Sequence, residues 1–133
     1  MKTLTYSGLL SKHSWGEADD ILFLSSQSDP LAEQLQSDIA CKQVTARYWI
    51  TDKQATKEQA QEDFVRQLVG AADCDFGSRY SEMTGYLWTD EACKIGGHDL
   101  IAELRSHVGK WLILEVEVHG ANKAVIPTCR PKE

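Results

Sequence analysis

The order of apolar and polar side chains divides this chain into short segments of two different periods. From Leu4 to Leu10 the positions alternate, with Leu4, Tyr6, Gly8 and Leu10 on one side, as in a half-buried strand, and "DDILFLSS" is an apolar run of the length of a second, buried strand. The polar stretch "SKHSWGEA" between them reads as the loop of an opening hairpin. Asp29-Pro30 marks a helix start: Asp29 can accept from free N–H groups, and Pro30 fits the first helical position. Leu31, Leu35 and Ile39 then recur every four residues on one side of that helix. In "QVTARYWITD" the alternation returns, with Val44, Ala46, Tyr48 and Ile50 on one face and Thr45, Arg47, Trp49 and Thr51 on the other.

Further along, Thr56 and Gln59 have the spacing of a capping box, Ala60, Phe64, Val65 and Leu68 lie on one helical stripe, and Gly70 stands where a left-handed cap would close a helix. "CDFGSRYSEM" reads as a loop and "TGYLW" as a short strand. Thr89 is placed to cap one helical turn, "DEACK", which Gly96 ends; Gly97 frees the chain to enter a helix capped by Asp99. Leu100, Ile101, Leu104 and Val108 share a face of that helix, and Gly109 closes it. "KWLILEVEVHG" alternates once more, Leu112, Leu114, Val116 and Val118 against Ile113, Glu115, Glu117 and His119. "GANK" can turn the chain into a short "AVIP" edge strand ended by Pro127.

The resulting order, ββαβαβαβ, predicts an α+β fold: a single layer of largely antiparallel or mixed sheet, about five or six strands, covered on one face by three helices. Residues 1–127 form one domain in this reading, with 128–133 as a flexible tail. Residues 48–70 and 86–109 echo one another, "YWITD…VG" against "YLWTD…VG", either as a duplicated unit or as one solution reached twice.

Length and composition fit that picture. A chain of 133 residues buries roughly 65–70% of the surface its unfolded form exposes, enough for a core without a metal or disulfide. Apolar residues at 42% and charged residues at 26% are ordinary for a globular domain. The net charge of −6 comes from 20 acidic and 14 basic side chains, the basic ones scattered, which excludes a phosphate-tracking surface and so a nucleic-acid partner. "MKTLTYSGLLSKHSW" lacks the apolar run of a signal peptide, and no apolar run exceeds four residues, so no membrane association is expected. Cys41, Cys74, Cys93 and Cys129 are widely spaced with no C-x-x-C pair. Isolated thiols without a secretion signal point to the cytoplasm.

Most of the candidate chemistry dissolves under geometry. Cys93, His98 and His107 suggest a metal site, but nine helical residues turn through about 900° and set the two histidines on opposite sides. Cys93 as a nucleophile is surrounded by Asp90, Glu91 and Asp99, which disfavour a thiolate. "GGHD" sets glycines before a helix start, as a phosphate cradle does, yet Asp99 can fill that start itself. His13, Glu17, Asp19 and Asp20 match no calcium-loop spacing. No metal and no cofactor is therefore expected. The strongest candidate is the second face of the sheet, where Arg47, Trp49, Tyr86, Trp88, Ile113, Glu115, Glu117 and His119 would form an aromatic and charged binding surface, with Trp15 as an anchor in the first loop. Glu115, Glu117 and His119 make an acid–base alternative.

"YWITDK", "GYLWTDE", "GGHDLIAEL" and "GKWLILEVEV" resemble segments of small accessory proteins of bacteria, phages and mobile gene cassettes, over about the last two-thirds of the chain. The resemblance carries no catalytic residue and implies an accessory role, including action against or within a defence system. The expectation is a non-catalytic binding protein, a homodimer holding a small molecule or a protein on its sheet face. The alternatives are a small hydrolase or isomerase, and an inhibitor of a larger complex recognised through Trp15 and the acidic loop.

Overall fold

The computed structural model describes residues 2–15, 18–25, 28–83 and 85–121, with the side chains at 15, 18–20, 78–81, 86–90 and 120–121 left outside. Among the described residues seven strands and two short helices follow in the order β1 (Lys2–Trp15), β2 (Ala18–Leu24), α1 (Leu31–Ile39), β3 (Lys42–Thr51), β4 (Phe64–Ser81), β5 (Tyr86–Ile95), β6 (His98–Asp99), α2 (Leu100–Arg105) and β7 (Trp111–Ala121). All described pairings are antiparallel, and the sheet order is β2-β1-β7-β3-β4-β5-β6.

Two long strands change partner partway. Residues 2–9 of β1 pair with β7 and residues 10–15 with β2; residues 64–71 of β4 pair with β3 and residues 72–81 with β5. The chain therefore builds a central sheet, β1-β7-β3-β4, with two hairpin arms that curve over one face as a half-barrel. Leu22 and Leu24 from one arm, Cys74, Cys93 and Ile95 from the other, and Leu31, Leu35 and Ile39 of α1 meet Val44, Ala46, Tyr48, Leu112, Leu114 and Val116 of the central sheet in one core. Glu91 closes the gap between the arms: its carboxylate accepts from the backbone N–H of Leu22 at 3.3 Å and pairs with Arg105.

This corrects the expectation of five or six strands under three helices. The capping box does form, Thr56 N–H to Gln59 Oε1 at 2.9 Å and Gln59 N–H to Thr56 Oγ1 at 3.3 Å, but only a 3-10 turn, Gln61–Asp63, follows it. From Phe64 the chain is strand, because its backbone groups pair with β3; a bulge at Val65 sends Phe64 to the outer face beside Trp49 while Leu68 enters the core. "CDFGSRYS" and "DEACK", read as a loop and a helical turn, face each other as β4 and β5. The two echoing segments fold differently, 48–70 as strand, turn and strand, 86–109 as hairpin and helix. At the helix start Pro30 holds the cap position, and Leu31 is the first helical residue; no side-chain cap bond is made, and Asp29 instead accepts through its backbone oxygen from Gln34 Nε2.

Other expectations hold. The opening hairpin is present, longer than read, and β3 and β7 present the alternating faces assigned to them. Asp99 caps α2, its Oδ1 accepting from the N–H groups of Ile101 at 3.1 Å and Ala102 at 3.4 Å, and also from Cys93 at 3.1 Å. Gly96 is left-handed as expected, but it ends a strand: with φ +59° it and Gly97 at +86° form the two-residue turn that joins β5 to β6. The "AVIP" strand and the tail lie outside the described residues. Among the described residues no helix is long and apolar enough to cross a membrane.

Candidate functional site

Both helices lie on the concave side with the arms, so the outer face of the central sheet is left to strand residues and one loop. Register brings the candidates together there: Arg47 stands opposite Glu115, Thr45 opposite Glu117, and Trp49 opposite Ile113. Arg47 donates to Glu117 at 2.6 Å and to Gln67 at 2.7 Å, and lies 3.7 Å from Glu115. Lys57, from the β3–β4 loop, reaches Glu115 at 2.6 Å and sits 5.4 Å from the centre of the Trp49 ring. His119 Nε2 shares a hydrogen bond of 2.8 Å with Thr45 Oγ1.

The face is neutralised within itself. Hydrogen bonding from Arg47 holds the Glu117 carboxyl below the usual carboxylate range, which makes it a weak base, and Glu115 is shared between two cations. General acid–base work asks for the opposite shift. The aromatic part is covered rather than open: Trp49 and Ile113 are buried beneath Ala60 of the loop, with Ala55 and Trp111 packed against them. Trp111 Nε1 is buried there without a hydrogen-bond partner among the described residues.

The backbone of Tyr86 and Trp88 runs apart from this face. Their backbone pairs with Ser81 and Arg79, in the arm beyond the point where β4 changes partner, and their side chains, like that of Trp15, lie outside the described residues. His98 and Asp99 form β6, whereas His107 follows α2, and among the described residues no cluster of three His, Cys, Asp or Glu side chains is placed to hold a metal. A recess of about 300 Å³ on α1, lined by Asp29, Glu33, Gln34, Ser37 and Asp38, contains none of the sequence-predicted residues.

Sequence reasoning missed three features. Lys57 and Gln67, which complete the Arg47 network, sit in a segment read as helix. Among the described residues no strand pairs with positions 64–68 of β4 on the side away from β3; Gly96 of the β5–β6 turn lies against Val69 and Gly70, and β5 pairs from Ala72. Along that stretch Phe64 (45%), Val65 (40%) and Val69 (59%) are exposed. Third, the thiols are not isolated, for Cys41 is disulfide-bonded and Cys74 Sγ lies 3.2 Å from Cys93 Sγ. The ground for expecting a cytoplasmic location is thereby removed. The readable signal was Gly85, which stands at positive φ in the β4–β5 turn; taking that turn as a hairpin sets residue 74 opposite 93. No protein-family model, curated protein or solved structure matches the chain.

Proposed function

We propose that this chain is a non-catalytic binding protein that acts as a homodimer, joined along residues 64–68 of β4. The observation that carries the reading is exposed Phe64 and Val65 on a strand segment, 64–68, with no further strand pairing among the described residues, followed by exposed Val69. Soluble chains usually shorten, charge or cover such edges, because the free N–H and C=O groups template further pairing. Two copies pairing antiparallel along residues 64–68, short of the point where Gly96 meets Val69 and Gly70, would bring the exposed Phe64 and Val65 of both copies together with Val69 at the margin. The Arg47–Glu115–Glu117–Lys57 network lies on the adjoining strands and loop, tied to β4 through Arg47 and Gln67, and would flank the interface with polar groups.

Gel filtration with light scattering at high micromolar concentration tests the reading. A dimer is expected, and Val69→Lys should weaken it at least about tenfold in Kd, about 1.4 kcal/mol, with unchanged thermal stability. A wild-type monomer at that concentration, or a Val69→Lys dimer as tight as wild type, would refute it.

A further inference from the structure

We propose that Cys74 and Cys93 form a cross-strand disulfide that ties the two strands of the β4–β5 arm inside the core. The two residues are directly opposed in the antiparallel register, between Asp73↔Lys94 and Asp75↔Ala92. Directly opposed antiparallel residues have Cα atoms about 4.5–5.5 Å apart, within the range a disulfide spans. Here both are free thiols with sulfurs 3.2 Å apart, so closing the bond needs side-chain adjustment and no backbone movement. They sit among Ile95, Leu100, Leu104 and α1 in the main core, Cys93 fully buried and Cys74 8% exposed.

The position suits a permanent bond better than a cycling one. Contact with Cys74 and burial push the Cys93 thiol above its ordinary range, so the Cys93 sulfur is not held as a ready thiolate once the core has closed. Bond formation therefore belongs to folding, while the arm still opens. Cys74, at the core's margin, loses its proton and attacks a low-molecular-weight disulfide, giving a mixed disulfide and one released thiol. Cys93 then loses its proton and attacks the Cys74 sulfur, releasing the second thiol. Two electrons and two protons pass to the oxidant, which is reduced to two thiols. Cys41 is already in a disulfide, so a second bond requires no change of redox surroundings.

The test is to reduce and unfold the full chain, refold it in a buffer of oxidised and reduced glutathione, quench with an alkylating agent and map the peptides without reduction. A Cys74–Cys93 linked peptide as the main species, with loss of both alkylated thiols, is expected. Recovery of both residues alkylated from folded protein, or pairing of either with Cys41, would overturn the proposal. Refolding exposes both sulfurs to the oxidant, so burial cannot mask a negative result.

Discussion

Replacing Gly96 and Gly97 by alanine one at a time separates backbone strain from contact in adjacent residues of one turn. Both stand at positive φ, +59° and +86°, where an L residue costs about 1–2 kcal/mol, offset by about 0.4–1 kcal/mol because alanine restricts the unfolded chain. At Gly97 a Cβ would meet nothing within 4 Å, so Gly97→Ala should lose only about 1 kcal/mol. At Gly96 the same atom would lie 2.3 Å from the carbonyl oxygen of Val69, about 1 Å short of ordinary contact. That oxygen belongs to the backbone of β4, at the rung opposite Thr45, and cannot turn aside as a side chain would. Forced repacking of that kind adds about 1–3 kcal/mol, so Gly96→Ala should lose about 2–4 kcal/mol in all. The assay is equilibrium unfolding in urea followed by far-UV circular dichroism, with the slope m unchanged across the set. If Gly96→Ala costs no more than Gly97→Ala, the turn does not rest on β4 and the half-barrel closes differently.

Two further outcomes follow from the same packing. Asp99→Ala removes one oxygen that serves three N–H groups and should cost about 1–2 kcal/mol, with Asp99→Asn recovering most of it; equal losses in the two variants would show that the charge, and not the acceptor, matters. Burial, with hydrogen bonds to Asp38 and Glu103, raises the Tyr6 and Tyr48 phenols far above their ordinary range. Their stabilising effect is thus complete below the unfolded value near 10 and is lost as pH rises beyond it. In urea titrations from pH 8 to 11 the stability gap between wild type and Tyr48→Phe should narrow above pH 10; a constant gap contradicts the burial argument.

How far the fold was legible depended on how many positions each segment offered to tell one period from the other. In β3 and β7, four successive alternations leave no helical alternative, and both strands and the shared face of Arg47, Glu115, Glu117 and His119 are found where expected. Over 56–70 the pattern could not discriminate. Residues four apart lie on one side of a regular strand and within about 40° of each other on a helix, so Phe64 and Leu68 read as one face either way, and the bulge at Val65 that sets them on opposite faces leaves no mark in the pattern. The capping box is a local bond set that forms whether or not a helix follows. Trp49 was placed on its face correctly, but the loop that covers it was not visible, since Ala60 reaches it from a segment read as helix.

The sequence alone determined what short-range chemistry decides: the opening hairpin, α1 with its Leu31, Leu35 and Ile39 stripe, the alternation of β3 and β7, and Asp99 as the cap of α2. Only the tertiary structure decided that residues 64–81 are one strand serving two partners, that Cys74 meets Cys93, and that Glu91 bridges the arms to Leu22 and Arg105. A helix finds its hydrogen-bond partners four residues away, within its own segment, whereas a strand finds them on another part of the chain. Where side-chain pattern allowed either, the distant partner made the choice.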